Sequence, residues 1–141
     1  MITEKEAKSL MTKAHLGQID RLGQPYYLHP FRVGSAGYAF GERVVGYLHD
    51  VVEDTDIDLS YLKSVDVPDN MLNAIDAITH PENEPPLEYI NRCRDDSIAR
   101  NVKINDIRDN WSLFNTSCLD IEKRKKLDKK YKSWLKILLN D

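Results

Sequence analysis

The chain has 141 residues, 20 basic and 23 acidic side chains, a formal charge of −3 and two cysteines. That length makes one domain, 1–141, the expectation, and a domain of this size buries roughly 70% of its unfolded surface without staples. The balanced charge argues against a global pull towards nucleic acid or acidic membranes. The two separated cysteines argue against a disulfide framework and for a reducing cytoplasm.

The N-terminal "MITEKEAKSLM" lacks the apolar run of a signal peptide, and no stretch approaches the length of a membrane span. "ITEKEAKSLMTKAHLGQ" predicts a helix, opened by Thr3 and Glu6 in capping-box spacing and carrying Ile2, Ala7, Leu10, Met11 and Ala14 on one face. Gly23, Pro25 and Pro30 then mark a loop, with Pro30 as first residue of the helix "PFRVGSAGYAF". Gly34 and Gly37 weaken that helix in isolation and permit close packing against a neighbour.

Residues 42–53 predict one helix, ended by "EDTDID"; "DLSYLKSVDV" hints at extended structure. "VPDNMLNAIDAITH" reads as a helix stopped by "PENEPP". "LEYINRCRDD" and "SIARNVKINDIRDNWSLFN" read as two helices or one bent helix. The last helix carries an apolar stripe of Leu127, Tyr131, Trp134, Leu135 and Leu138. The sum is an all-α, single-domain helical bundle.

Chemistry-bearing side chains gather in four segments. They are "DRLGQPY" with Arg21, "YYLHP" with His29, "LHDVVEDT" with His49, Asp50, Glu53 and Asp54, and "VKINDIRDN" with Lys103, Asp106 and Asn110. Imidazoles and carboxylates form a mixed N/O set suited to Mn²⁺, Fe²⁺ or Zn²⁺, with no thiolate preference. On a continuous helix Glu53 stands one turn beyond His49 on the same face, as Asn110 does beyond Asp106. A metal would explain acids and histidine set into an apolar helix, because buried charges cost several kcal/mol unless paired or metal-bound. Plainer readings remain open for each residue. His29 could be a capped loop histidine, Asp106 could pair with Arg108 or Lys103, and "EDTD" could be a solvated helix end.

The order of "AHLGQIDRLGQPYYLHP", "VVGYLHDVVEDT", "AITH" and "IARNVKINDIRDN" resembles the HD-domain metal-dependent phosphohydrolases. Within them it is most similar to the hydrolase domain of RelA/SpoT-type proteins and the stand-alone small alarmone hydrolases. The resemblance spans residues 14 to about 115. It implies one divalent ion, usually Mn²⁺, held by His29, His49, Asp50 and Asp106, with Glu53 and Asp54 handling water and protons. It further implies nucleotide contacts from Arg21 and Asn110, and a phosphate contact from Tyr131, which also fits the apolar stripe. Lys103 reads as a phosphate contact or, preferably, as the partner of a carboxylate. The implied reaction is 3′-pyrophosphate hydrolysis of (p)ppGpp, giving GDP or GTP. Leu22 stands where the family often has a basic residue, and "DIRDN" departs from the usual apolar-and-histidine spacing between aspartate and asparagine.

Two other readings stay open: a phosphohydrolase of another nucleotide or dinucleotide phosphate, and a non-catalytic nucleotide-binding HD scaffold. His15 reads as structural or adjacent to the ligands, His80 as a helix-end group, Cys93 and Cys118 as packed or surface thiols, and Trp111 and Trp134 as core or interface. The basic run from Lys123 to Lys132 reads as a solvated face that could also steer a polyphosphate or touch nucleic acid, the latter opposed by the overall negative charge. A nucleotide is the expected partner, homo-oligomerisation is left open, and neither a membrane nor nucleic acid is expected.

Overall fold

The described residues form nine helices: α1 (Glu4–Ala14), α2 (Leu28–Ser35), α3 (Phe40–Leu48), α4 (Val51–Asp54), α5 (Leu59–Ser64), α6 (Asp69–Ile78), α7 (Pro86–Asp95), α8 (Ser97–Ser117) and α9 (Ile121–Leu139). The computed structural model describes residues 1–117 and 120–140, so Cys118 lies outside the described residues. The all-α expectation holds: the one β-type pairing among the described residues is an isolated bridge between Ile19 and Pro25. No helix among them is long and apolar enough to cross a membrane.

Several helices start at side-chain caps. Thr3 accepts the Glu6 N–H at 3.1 Å to open α1, Asp58 accepts the Tyr61 N–H at 2.8 Å to open α5, and the Asp120 side chain accepts from Glu122 and Lys123 to open α9. Asp96 separates α7 from α8. Its backbone is extended while its carboxylate takes the Ala99 N–H at 2.9 Å. The region predicted as extended, "DLSYLKSVDV", is therefore helical through Leu59–Ser64. The Asp58 cap and the buried anchor Leu62 override the β-leaning pattern. Similarly α2 begins at Leu28, two residues before Pro30.

Two helices organise the core. α3 packs against α1, α2, α6 and α8, and α8 against α2, α3, α6, α7 and α9. Val44, Val45 and Leu48 of α3 are fully buried, as are Ala99 and Val102 of α8. From α9, Tyr131 and Leu138 are buried against this core, with Leu127, Trp134 and Leu135 packed beside them.

The α2–α3 crossing depends on two glycines. A Cβ at Gly46 would lie 2.6 Å from the Gly34 Cα, and one at Gly34 would lie 2.2 Å from the Tyr47 ring. Because the Gly46 obstacle is backbone, the helices must separate to admit a methyl group. Gly46→Ala is expected to cost about 1–3 kcal/mol, the range for overpacking, read as a lower urea midpoint with unchanged m-value. The same separation would pull His29 on α2 away from His49 at the end of α3.

The predicted single helix over residues 42–53 is two helices. α3 ends with His49 as its C-cap, and α4 starts from Asp50, at φ −100° and ψ −2°. Consecutive residues on an unbroken helix point about 100° apart. The break instead brings the His49 and Asp50 side chains to one place, with Nε2 and Oδ2 3.1 Å apart.

Candidate metal centre

Two helices and a helix junction meet at this break. His29 comes from α2, His49 and Asp50 from the α3–α4 junction, and Asp106 from α8. One ligand atom from each of the four lies within 4.8 Å of all the others. His29 Nε2 is 2.8 Å from Asp106 Oδ1 and 3.8 Å from Asp50 Oδ2, and His49 Nε2 is 3.3 Å from Asp106 Oδ1. Ligands at right angles on one ion, each about 2.1 Å from it, sit about 3 Å apart. The spacing and the N₂O₂ chemistry fit a divalent metal, so this buried cluster could hold one. Exposure is 3% for His29, 2% for His49 and 5% for Asp106, which leaves bulk water little share in solvating these groups.

The far side of each imidazole is occupied. His49 Nδ1 lies 2.7 Å from the Gly46 carbonyl, which only accepts, so Nδ1 carries the proton. His29 Nδ1 lies 2.6 Å from Asp109 Oδ2, and Asp109 is gripped by Arg32. Both Nε2 atoms are thereby turned inward with a lone pair available in the neutral form. Asp50 accepts from the Tyr26 hydroxyl at 2.5 Å. Asp106 accepts from Lys103 Nζ at 2.8 Å and from the Asn110 amide at 3.2 Å. Lys103 thus sits as the partner of a carboxylate, with its side chain 12% exposed.

With no ion bound, the neighbouring carboxylates favour the protonated imidazoles. Burial opposes charge on His29, but hydrogen bonds to Asp106 and Asp109 outweigh it and lift its pKa to about 9. Burial likewise opposes charge on His49, and the Asp50 and Asp106 carboxylates outweigh it to hold the pKa well above the usual histidine range. Burial disfavours the Asp50 carboxylate, but the His49 charge and hydrogen bond bring it down to about 2. Because the His29 pKa is raised from 6.5 to about 9, its contribution to metal-free stability is full below pH 6.5 and lost as pH rises through about 9. The lowered Asp50 contributes above its ordinary 3.8, and that contribution is lost as pH falls towards about 2. A metal must displace the imidazole protons, so Mn²⁺ affinity is expected to rise between pH 6.5 and about 9. Calorimetric titrations in two buffers of different ionisation heat would show the released protons; a pH-independent affinity would refute the expectation.

Glu53 and Asp54 stand outside this quartet and beside it. Their carboxylates lie within 4.8 Å of the Asp50 carboxylate. Glu53 accepts the His80 backbone N–H at 3.0 Å. Partial burial raises the Glu53 pKa despite that N–H, and burial with the Asp50 charge raises that of Asp54. A carboxylate with a raised pKa is better matched to accepting a proton near neutral pH. The helix break means that Glu53 reaches the site from α4, not as a continuation of the His49 face.

Cavities open on two sides of the cluster. One, of about 220 Å³, is lined by Ile19, Arg21, Tyr26, His29, Asn110 and Phe114, among others. The Arg21 guanidinium lies 3.3 Å above the Phe114 ring, a flat cationic surface at its edge. The other, of about 170 Å³, is more polar and includes Glu53, His80, Lys103, Asp106, Lys130 and Tyr131. Asn110 lines both. His80 stacks flat on Tyr89 with ring centroids 4.2 Å apart, so its place is the cavity wall.

Sequence reasoning missed Tyr26, Arg32 and Asp109. Tyr26 lay inside the quoted "YYLHP" and its partner is 24 positions away. Asp109 was legible as three positions beyond Asp106, hence on the same helix face. Its partners His29 and Arg32 required the folded chain. His15, read as structural or adjacent to the ligands, bonds Gln18 at 2.9 Å and packs its ring 5.1 Å from that of Tyr26. Cys93 is packed and fully buried, and burial pushes its thiol up to about 11.

No family model matches the sequence. Among solved structures, the chain is similar to one reported as "A metazoan ortholog of SpoT hydrolyzes ppGpp and plays a role in starvation responses", with a TM-score of 0.83 and 22% sequence identity. The match covers 97% of this chain and 85% of that one. The chain has the fold of this metazoan SpoT ortholog. The all-α helical bundle expected from the sequence is therefore the fold found, and its match to the SpoT ortholog extends over almost the whole chain.

Proposed function

We propose that the protein is a metal-dependent phosphohydrolase that removes the 3′-pyrophosphate of (p)ppGpp, leaving GDP or GTP. The observation that carries this reading is the convergence of His29, His49, Asp50 and Asp106 beside Glu53, between two cavities. The shared fold with a protein reported to hydrolyse ppGpp supports the choice of substrate. His29, His49, Asp50 and Asp106 would hold the ion, with Mn²⁺ the proposed metal. When bound it would supply Lewis acidity and lower the pKa of water.

The chain's own residues do the rest. Glu53, with Asp54 beside it, takes a proton from the attacking water. The water oxygen bonds to the phosphorus on the nucleotide's 3′ oxygen. The bond between that phosphorus and the 3′ oxygen breaks, and the 3′ oxygen leaves with the electron pair and gains a proton. Asn110, Tyr131 and Lys130 face the polar cavity, where pyrophosphate oxygens find donors. Lys103 offsets the Asp106 charge beside them. Arg21 on Phe114 offers the base a stacking surface in the larger cavity. A soluble nucleotide substrate and cysteines needing no oxidation fit a cytoplasmic setting.

The test is a panel of nucleotides incubated with Mn²⁺-loaded protein, with products identified. Pyrophosphate release from 3′-pyrophosphorylated guanosines is expected. Turnover of other nucleotide phosphates alone would redirect the substrate assignment. A panel left intact by metal-loaded protein would replace the hydrolase with a nucleotide-binding scaffold.

A further inference from the structure

The His29 ligand position has a support that the His49 position lacks. His49 is oriented by a backbone carbonyl, that of Gly46. His29 is oriented by a carboxylate that is itself held. Asp109 Oδ2 lies 2.6 Å from His29 Nδ1, while Arg32 donates from Nε to Asp109 Oδ1 at 2.7 Å and from Nη2 to Oδ2 at 3.1 Å. The spacing interlocks two helices. His29 and Arg32 are three apart on α2, Asp106 and Asp109 are three apart on α8, and each pair shares a helix face. His29 sits between the two aspartates, and Asp109 sits between His29 and Arg32.

We propose that Asp109, clamped by Arg32, is a positioning residue that aims His29 Nε2 into the metal centre and thereby sets its affinity. The inference rests on the reading of His29 as a metal ligand. Asp109 accepts only, so His29 must carry its neutral-form proton on Nδ1, leaving Nε2 to bind. A carboxylate on the far nitrogen also makes an imidazole a more basic ligand than a neutral carbonyl does. Neither Asp109 nor Arg32 is among the residues lining the two site cavities, which separates the pair from substrate contacts. The arginine fork engages both carboxylate oxygens, so Asp109 cannot swing away without breaking two charge-assisted bonds.

The experiment measures Mn²⁺ affinity calorimetrically for Asp109→Ala, Asp109→Asn and Arg32→Gln, alongside the metal-free melting temperature. The dissociation constant is expected to rise about ten- to a hundred-fold for Asp109→Ala, and less for Asp109→Asn, which keeps an acceptor for Nδ1–H. Arg32→Gln is expected to fall between wild type and Asp109→Ala. Its side chain is 41% exposed, so this variant reports even if Asp109→Ala folds poorly. Co²⁺ absorption should shift in the same order, which a purely structural role would not produce. Variants that bind Mn²⁺ within twofold of wild type, whatever their melting temperatures, would overturn the positioning role alone. A wild-type protein that binds no divalent ion would overturn the metal centre itself and this inference with it.

Discussion

Asp106→Ala is expected to abolish divalent-metal binding and to destabilise the metal-free protein by about 3–5 kcal/mol. Asp106 is where four side chains end: His29 at 2.8 Å, His49 at 3.3 Å, Lys103 at 2.8 Å and Asn110 at 3.2 Å. Deleting it removes one of the four candidate ligands and strands the Lys103 ammonium. That ammonium lies 5.1 Å from the Tyr89 ring and 5.5 Å from the Trp134 ring, which attract a cation but do not replace a carboxylate. Breaking one half of a buried pair costs more than deleting both, because the remaining charge is left in a poor solvent. Lys103→Met in the Asp106→Ala background is therefore expected to recover part of the lost stability without recovering metal binding. Urea unfolding in chelator measures the first effect and Mn²⁺ calorimetry the second. A single variant as stable as wild type would show that the ion pair contributes nothing net.

Glu53→Gln is expected to lower kcat about 10²- to 10⁴-fold, the usual worth of a general base, with Mn²⁺ affinity within twofold of wild type. The quartet converges without Glu53, which is grouped instead with Asp50 and Asp54. Glutamine keeps the length of the side chain and its oxygen can still accept the His80 N–H seen at 3.0 Å, so the wall of the polar cavity should persist. What is lost is the ability to take a proton. Single-turnover kinetics with pyrophosphate detection, run beside metal titrations, separates the outcomes. Loss of metal affinity would make Glu53 part of the ion's coordination. Retained turnover would move the base to Asp54, whose pKa burial also raises.

Local patterns carried much of this architecture. Thr3 opened the first helix, the three- and four-residue steps of the last helix marked its buried stripe, and Gly34 signalled a close approach. These features depend on neighbours a turn or less away, or on one face of one helix. The reading went astray where distant partners set the outcome. Leu59–Ser64 is helical because Asp58 caps it and Leu62 finds the core. Residues 42–53 break into α3 and α4 at His49 and Asp50, against an unbroken apolar pattern.

The site divides in the same way. The sequence marked His29, His49, Asp50 and Asp106 among several candidate polar residues, because histidines and acids set into apolar segments violate the hydrophobic pattern, and the family resemblance implied these four as ligands. Their common destination was a matter of resemblance until α2, α3 and α8 were placed against one another. Tertiary structure decided that Tyr26 bonds Asp50, and that Asp109 and Arg32 stand behind His29. The residue types and their periodicity determined an all-α chain with polar groups it could not bury unpaired. Which groups pair depends on contacts 24 to 80 positions apart, and no local periodicity encodes a distance that only helix packing creates.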